Sequence, residues 1–375
     1  MITPADHFHG SDLEAIELAY GIKKEKITSF SANVNPLGVS PKLRQTLAAH
    51  IDVITTYPDR EYTALRRSIG TYAGCDPDHI IVGNGSTELI SLMIQIRHPK
   101  KAMILGPTYS EYEREISLDG GVSLYYPLKE THDFQMQAED LMSRLNEQID
   151  LLVLCNPNNP TSTSICRNDM RKILDCCKQN DIFVMVDETY VEFVPEHLEI
   201  TSVPLTDYYN NIVILRGISK FFAAPGLRLG YAITGNQDLI KEVNKKKNPW
   251  TINSLAEAAG KLMFSDSEYI SATKKLIFSE RAFIVHELSL IEGLKAYPPT
   301  ANFILVRILK NGITSKDVFE YAIRKGLMIR DCSTFPFLGN QYFRFCFMSA
   351  EKNRELLECI HQLFDQTKIE SPNSL

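Results

Sequence analysis

Three polar residues in the middle of the chain stand just after short apolar runs, where strands of a buried sheet are expected to end. They are Asn159, Asp187 and Lys220, in that order along the sequence. A lysine amine forms imines with carbonyl compounds, which makes it a candidate for covalent catalysis. A carboxylate at the end of an apolar strand is costly unless a cation or a strong hydrogen-bond donor meets it. The three residues together predict a polar site, although Asp187 alone also fits a structural ion pair.

Lys220 has mostly apolar neighbours, although lysine is among the residues least often buried. Two phenylalanines follow it, Ser219 precedes it, and Pro225, Gly226 and Arg228 come shortly after it. The segment is either a surface loop or the wall of a pocket that uses the amine. In a pocket, the apolar neighbours would lower the pKa of the ammonium group and keep the amine free for imine chemistry.

A glycine-rich turn follows the apolar run at 80–82. Its sequence is Gly-Asn-Gly-Ser-Thr-Glu, in which Gly85 permits a tight turn and Ser86 is expected to cap the next helix. The free amides of Ser86 and Thr87 at such a helix start bind phosphate well, although an ordinary capped helix also fits. A dinucleotide site fits less well, because Glu88 stands where the pattern G-x-G-x-x-G needs its last glycine.

Tyr109 and Asn159 complete the set of residues at strand ends. Tyr109 follows the run at 102–105 and is either a flat wall for a ligand or a core tyrosine. Asn159 lies in the segment 156–161, whose two X-Pro bonds stiffen a turn that is otherwise an ordinary loop. Together these residues supply the groups needed to hold pyridoxal phosphate: an amine, a buried carboxylate, an amide, a flat ring, and a phosphate-binding turn with an arginine.

The elements that must position these residues follow a regular alternation. Short apolar runs bounded by turn residues lie at 80–82, 102–105, 122–126, 151–154, 182–186 and 212–215. Helical patterns between them lie at 86–96, 109–117, 137–145 and 168–179. Apolar strands that alternate with helices predict an α/β fold with a largely parallel sheet covered on both faces. Active sites in such sheets form beyond the carboxyl ends of the strands, where the candidate residues stand.

The pattern changes after Trp250, and the chain is expected to form two domains. Residues 1–35 are predicted to be an arm that packs on the small domain or on a partner subunit, 36–250 a large cofactor-binding domain, and 251–375 a small α+β domain. In the small domain, helices are predicted over 254–292, near 316–325 and from about 350, with strands near 302–307, 328–330 and 342–347.

The composition argues against several other classes of function. A net charge of −6 does not suit a nucleic-acid scaffold, and no apolar run is long enough to span a bilayer. The N-terminus has no apolar signal core. The eight cysteines lack metal-ligand spacing, so neither disulfides nor a structural metal is expected. The sequence is therefore predicted to be a cytoplasmic enzyme.

The segments at 156–161, 187–190 and 219–231 match, in order and spacing, the motifs of the class I and II aminotransferase family. The sequence resembles that family over essentially its whole length. The resemblance implies a fold-type I pyridoxal-phosphate enzyme. Its large domain would have a mostly parallel, seven-stranded type of sheet between helices, and a smaller α+β domain would follow.

The resemblance also implies a role for each candidate residue. Lys220 would form an imine with pyridoxal phosphate and later shuttle a proton, and Asp187 would pair with the pyridinium nitrogen and keep it protonated. Asn159 and Tyr190 would hydrogen-bond the phenolic oxygen of the ring, and Tyr109 would stack on the ring. The cofactor phosphate would be bound by Gly85, Ser86, Thr87, Ser219 and Arg228.

Further matches concern the partner subunit and the substrate. Tyr57, in Tyr-Pro-Asp, matches the tyrosine that contacts the cofactor phosphate of the neighbouring subunit, which implies a homodimer. Arg344 matches the arginine that binds the substrate carboxylate, a pairing that suits its planar fork. One departure is Ser162, which stands where the family usually has glycine after Pro-Thr. The serine leaves the conformation of that turn open. The role implied for Asn159 is unaffected.

The reaction is implied only by finer resemblance. Segments 30–38 and 329–333 resemble the threonine-phosphate decarboxylases of cobalamin biosynthesis, which form aminopropanol phosphate from L-threonine O-3-phosphate. Histidinol-phosphate aminotransferases share the Asn-Pro-x-Gly element and most of the cofactor site, so they and other class I and II aminotransferases are alternatives. Arg330 and Arg344, with Asn33, are expected to bind a small phosphorylated substrate in either case, because an arginine fork accepts carboxylate or phosphate.

A non-catalytic regulator that binds pyridoxal phosphate is the remote alternative. Regulators built on this fold carry an extra DNA-binding domain, and the stretch before Phe30 is too short and insufficiently basic for one.

Overall fold

A computed structural model describes residues 12–195 and 199–369 of the chain. The described helices are α1 (Leu13–Tyr20), α2 (Pro41–Ala49), α3 (Thr63–Ala73), α4 (Ser86–Arg97), α5 (Glu111–Leu118), α6 (Ala138–Met142), α7 (Arg167–Gln179), α8 (Gln237–Lys246), α9 (Ser254–Met263), α10 (Ser267–Ser289), α11 (Ser315–Ile323) and α12 (Ala350–Ile369). The described strands are β1 (Thr28–Ser29), β2 (Ile80–Gly83), β3 (Lys101–Gly106), β4 (Val122–Pro127), β5 (Leu151–Cys155), β6 (Phe183–Asp187), β7 (Ile212–Gly217), β8 (Gly230–Ile233), β9 (Leu294–Ala296), β10 (Phe303–Ile308), β11 (Leu327–Met328), β12 (Arg330–Asp331) and β13 (Tyr342–Cys346). None of these helices is long and apolar enough to cross a membrane.

The contacts divide the chain into two units, each of which is described by itself. The larger unit comprises residues 37–159 and 163–274. The smaller unit comprises residues 160–162, 275–369 and, at the N-terminal end, 12–36 among the residues described. The domain bounds at 35 and 250 that the sequence suggests stay a prediction.

The larger unit is built on a seven-stranded sheet with the order β2-β8-β7-β6-β5-β3-β4. Strands β7, β6, β5, β3 and β4 pair in parallel, whereas β8 runs antiparallel to both β2 and β7. The predicted α/β fold with a mostly parallel sheet is therefore confirmed, and each of the six predicted apolar runs forms a strand. Strand β8 was not predicted, because a four-residue segment that begins with glycine gives little strand signal.

The central strands are mostly apolar because helices cover both faces of the sheet. Every residue of β5, β6 and β7 is buried, including the polar Asp187 at the end of β6. Asp187 is paired in register with Cys155 on one side and Leu215 on the other. The turns after these three strands therefore start at neighbouring points of one sheet edge.

The smaller unit contains a four-stranded antiparallel sheet with the order β12-β13-β10-β9. A second, two-stranded sheet pairs β1 with β11 in parallel. The described N-terminal residues thus hydrogen-bond within this unit, where Cys346 N–H also donates to the Phe30 carbonyl over 2.8 Å. The small α+β arrangement positions Arg330 and Arg344 directly opposite each other on β12 and β13.

A buried ion pair joins the end of β6 to β7 inside the larger unit. The Arg216 guanidinium donates to Glu188 Oε2 over 2.7 Å and 3.1 Å, and both side chains are almost fully buried. The Glu188 carboxylate also accepts hydrogen bonds from the Thr201 hydroxyl and from the Ser202 amide. A structural ion pair was one interpretation of Asp187 from its sequence context, but its neighbour Glu188 forms the pair.

Leucine at Arg216 is expected to lower the free energy of unfolding by about 3–5 kcal/mol, because it leaves the buried Glu188 carboxylate without its cation. Replacing both residues by leucine should recover part of this loss. Denaturant unfolding checks both values. Lys241→Ala, which breaks the exposed ion pair with Asp238, is the control and should leave the midpoint unchanged. Equal stability of the Arg216→Leu protein and the wild type would contradict this account.

Candidate active site

The turn between β2 and α4 has the geometry of an anion site. Gly85 has φ +83°, a conformation that favours glycine, and α4 begins at the next residue, Ser86. The cap residue is therefore Gly85 and not Ser86, so the prediction that Ser86 caps the helix was wrong. No side chain caps this helix start. The first amides of α4, including those of Ser86 and Thr87, are thus available to an anion.

Arg228 lies against this turn. Its guanidinium is within 3.4 Å of the Asn84 carbonyl, and a Cβ atom on Gly85 would collide with it. A Cβ atom on Gly230 would lie 2.5 Å from the backbone of Gly85 and Ser86, so glycine is needed for the close approach of β8. Within the described part of the chain, no carboxylate forms an ion pair with Arg228. A guanidinium beside a helix N-terminus fits a phosphate group.

Asp187 is held by three hydrogen bonds in a buried position. Thr189 donates to Oδ1 from its amide over 2.9 Å and from its hydroxyl over 2.5 Å, and the Tyr112 hydroxyl donates to Oδ2 over 2.7 Å. Burial raises the pKa of the Asp187 carboxyl, and the hydrogen bonds from Thr189 and Tyr112 act in the opposite direction. A fixed, buried carboxylate of this kind suits a cationic ring nitrogen, which would favour its charged form.

Tyr112, which hydrogen-bonds Asp187, packs against Tyr109. The two rings are 5.5 Å apart in an edge-to-face arrangement. Burial raises the pKa of Tyr109 to about 12, so its hydroxyl stays protonated at neutral pH. Tyr112 was missed from the sequence. It lies three residues after Tyr109, a spacing that would bring both side chains to one face of the helix predicted over 109–117, and this was the available signal.

The remaining predicted cofactor residues follow the central strands. Asn159 and Tyr190 are buried, with exposed fractions of 8% and 6%, in the segments after β5 and β6. Ser219 and Lys220 are half-buried and follow β7. Because β5, β6 and β7 are adjacent and parallel, these segments leave the sheet at one edge. The sheet thus places the predicted amine, carboxylate and amide after neighbouring strands.

Tyr57 differs from the other predicted cofactor residues, because its side chain is 79% exposed. Its ring packs against Trp250 with the centroids 4.7 Å apart. It makes no described contact with Asp187 or with the phosphate-binding turn of its own chain. Its predicted role in a neighbouring subunit stays a prediction.

The three predicted substrate residues lie in the smaller unit. Arg344 is 4% exposed and donates to the Ser31 carbonyl over 2.6 Å, and Asn33 accepts at its backbone carbonyl from the Asn302 side chain over 2.9 Å. Arg330 donates to the Thr334 hydroxyl over 3.2 Å. Burial and the neighbouring Arg344 both lower the pKa of Arg330. Two like charges directly opposite on paired strands repel each other, so this pair suits an anionic ligand.

Ser162 adopts the backbone conformation that glycine would favour. Its φ is +59°, and its hydroxyl accepts a hydrogen bond from the Ala301 amide over 2.9 Å. Its carbonyl accepts from the Thr300 amide and hydroxyl. These bonds, all within the smaller unit, offset the strain of a left-handed serine. Serine at position 162 therefore adopts the left-handed backbone conformation that glycine would favour in this turn.

Comparison with known proteins gives consistent matches. The sequence model described as "Aminotransferase class I and II" matches residues 25–360. A protein of Caldanaerobacter subterraneus subsp. tengcongensis, provisionally named a threonine-phosphate decarboxylase, is 37% identical over 89% of this chain and 90% of its own. The threonine-phosphate decarboxylase of Salmonella typhimurium is 31% identical over 95% of this chain and 96% of its own.

The chain is also similar to solved structures. The histidinol-phosphate aminotransferase of Clostridium acetobutylicum superposes with a TM-score of 0.84 at 29% identity, covering 90% of this chain and 99% of its own. The similarity therefore extends across almost the whole of both chains.

Proposed function

Since this chain belongs to the class I and II aminotransferase family, whose members depend on pyridoxal phosphate, we propose that it decarboxylates L-threonine O-3-phosphate to aminopropanol phosphate. The observation that carries the substrate class is the pair of Arg330 and Arg344, directly opposite on β12 and β13. Threonine phosphate has two anionic groups, a carboxylate and a phosphate, which suit two guanidinium forks. Histidinol phosphate has a phosphate but no carboxylate.

Each residue of the candidate site has a role in this proposal. Bound pyridoxal phosphate supplies the electron sink for bond cleavage at Cα. Lys220 would hold the cofactor covalently and deliver the proton that replaces the lost carboxylate at Cα, and Asp187 would keep the ring nitrogen protonated. Asn159 and Tyr190 would hydrogen-bond the phenolic oxygen, and Tyr109 would stack on the ring. The phosphate is bound by Gly85, Ser86, Thr87, Ser219 and Arg228.

The substrate residues select the bond that breaks. Arg344 would bind and orient the substrate carboxylate, and this orientation would decide which bond at Cα breaks. Arg330 and Asn33 would bind the other anionic end. A homodimer in which Tyr57 contacts the cofactor phosphate of the neighbouring subunit is part of the proposal, as is a cytoplasmic location, which rests on composition.

The test supplies the holoenzyme with threonine phosphate and measures released carbon dioxide and aminopropanol phosphate. We expect stoichiometric release of both without any added keto acid. Arg330→Gln and Arg344→Gln should each raise KM, by about tenfold or more, because each removes a charge-assisted hydrogen bond. A holoenzyme that releases no carbon dioxide from threonine phosphate would overturn the proposal.

Histidinol-phosphate aminotransferase is the second candidate, supported by the 29% identity to the Clostridium acetobutylicum enzyme over 90% of this chain. That function would require turnover of histidinol phosphate to depend on an added keto acid and to release no carbon dioxide. Two assays therefore separate the candidates: a decarboxylase releases carbon dioxide from threonine phosphate without a keto acid, whereas the aminotransferase turns over histidinol phosphate only with one.

Tyr112→Phe is expected to weaken cofactor retention roughly ten- to a hundredfold, because it removes one hydrogen bond to the charged Asp187 carboxylate. Since the Tyr112 hydrogen bond lowers the pKa of Asp187, its loss raises that pKa further. The carboxyl loses its charge as pH falls, so the variant should release cofactor at a higher pH than the wild type.

Equilibrium dialysis of the cofactor against pH measures this shift directly. Tyr109→Phe is the matched control, because it also removes one tyrosine hydroxyl but leaves the hydrogen bond from Tyr112 to Asp187 in place. If the Tyr112→Phe and wild-type profiles coincide, Tyr112 only packs and does not set the charge of Asp187.

A further inference from the structure

A cavity of about 340 Å³ lies in the larger unit beside β2, the outermost strand of the seven-stranded sheet. Its lining comes from three parts of the chain: residues 60–66, residues 80–82 and residues 240–250. A cavity of this volume is in the range of small-molecule sites. None of the residues assigned to the cofactor or substrate lines it, so the proposed function leaves it unexplained.

The cavity is strongly cationic. Arg60, Arg66, Lys245 and Lys247 line it, against Glu61 as the acidic lining residue. Arg66 is paired with Asp78 over 2.8 Å, whereas within the described residues Arg60, Lys245 and Lys247 form no ion pair. Cations gathered around one space repel each other, and a bound anion would remove that repulsion.

Lys247 is a half-buried cation in the wall of the cavity. Its ammonium donates to the Val82 carbonyl over 3.2 Å and lies 5.7 Å from the centre of the Tyr62 ring. Burial lowers its pKa. An ammonium group has three donors, of which this carbonyl takes one. A half-buried amine that lines a cavity and has further donors is suited to an anionic ligand.

The Trp250 ring forms a flat wall of the cavity, and the backbone of this residue is strained. It is the single tryptophan of the chain, and its φ is +53°, an uncommon conformation for a bulky residue. The Arg60 guanidinium lies 5.8 Å from the centre of its ring. Strain of this kind persists where the surroundings enforce it, often at ligand sites. We infer that this cavity is a second anion site, which binds a small organic phosphate between its four lining cations and the Trp250 ring.

Short contacts connect the second site with the phosphate-binding turn. Val82, whose carbonyl bonds Lys247, immediately precedes the phosphate-binding turn. The Thr251 hydroxyl, next to Trp250, donates to Glu88 Oε1 over 2.7 Å, and Glu88 Oε2 accepts from the Asn84 amide of that turn. The two sites nevertheless use different cations, since Arg228 and Lys220 do not line the cavity. The inference therefore does not depend on the proposed decarboxylation.

The test uses the fluorescence of Trp250, which reports on this cavity because the chain has no other tryptophan. The holoenzyme is titrated with inorganic pyrophosphate, with sodium chloride at matched ionic strength as the reference. We expect a saturable change of emission with pyrophosphate alone. Lys245→Gln should weaken the apparent affinity by about tenfold, because it removes one charge-assisted contact.

Lys246→Gln is the matched control. Lys246 neighbours Lys245 on α8 but bonds the Gln95 carbonyl and does not line the cavity, so its titration should equal the wild type. Calorimetric titration of Arg60→Gln gives a second reading that does not use the tryptophan. The inference is overturned if Lys245→Gln and Lys246→Gln titrate alike, or if sodium chloride gives the same response. Loss of the response in Arg344→Gln but not in Lys245→Gln would also overturn it, because the signal would then come from the substrate residues.

Discussion

Alanine at Lys220 is expected to reduce turnover by at least about 10⁴-fold, because one side chain supplies both the covalent attachment of the cofactor and the proton transfer at Cα. The structure places Lys220 just after β7, next to the strand that ends in Asp187. The visible absorbance of cofactor attached to the enzyme should disappear with the amine. Absorbance spectra and single-turnover rates measure the two effects separately.

Small primary amines added to the Lys220→Ala enzyme should restore part of the rate, since they replace the missing proton carrier. Lys246→Ala, a change on the exposed face of α8, is the control and should leave both spectrum and rate unchanged. Circular dichroism establishes that each variant is folded. Retained turnover in folded Lys220→Ala enzyme would rule out the mechanism proposed for this site.

The large sheet could be predicted because its strands are buried on both faces. Residues 151–154 and 182–186 are apolar without alternation, which is the pattern of central parallel strands, and β5 and β6 occupy those positions. Strand β8 was not predicted, because its four residues begin with glycine. It pairs with β7 and with β2, which is distant from it in sequence, so no local pattern indicates this strand. The short strand β9, with three half-buried residues, gave no periodic signal either.

The site residues could be predicted where a strand end and a residue type coincided. Asn159, Asp187 and Lys220 are unusual after apolar runs, and their segments lie at one edge of the sheet. Tyr112 could not be identified in the same way, because a tyrosine within a helix is more often a core residue. Its partner Asp187 is 75 residues away in sequence, and only the fold brings the two together.

Asp187 and Glu188 are adjacent in sequence, but the fold gives them opposite environments. Glu188 faces Arg216, which is 28 residues away, and its charge is compensated inside the protein. Asp187 receives hydrogen bonds from Thr189 and Tyr112 but pairs with no cation among the residues that the structure describes, and burial raises its pKa. A buried carboxylate without an internal cation is a cost to the apoenzyme, which a cationic ring nitrogen would offset.

Asparagine at Asp187 is therefore expected to lower turnover by roughly 10²–10⁴-fold, which corresponds to the 3–5 kcal/mol lost when a buried charge loses its partner. The amide keeps the shape of the carboxylate and can still accept from Thr189, so the change removes charge with little change of geometry. Rates at saturating cofactor measure the effect, and Asp187→Glu is the control that keeps the charge but moves it.

Asp187→Asn is expected to lower turnover without lowering the stability of the apoenzyme. Because the pKa of Asp187 is raised in the folded state, the fold binds this proton more tightly than the unfolded chain does. The free energy of unfolding therefore falls as pH rises from the ordinary carboxyl pKa towards the raised one, and the loss persists at neutral pH. Asp187→Asn removes this cost, so the variant apoenzyme should be at least as stable as the wild type at neutral pH. A variant that is both slow and unstable would instead mean that Asp187 is needed for the fold.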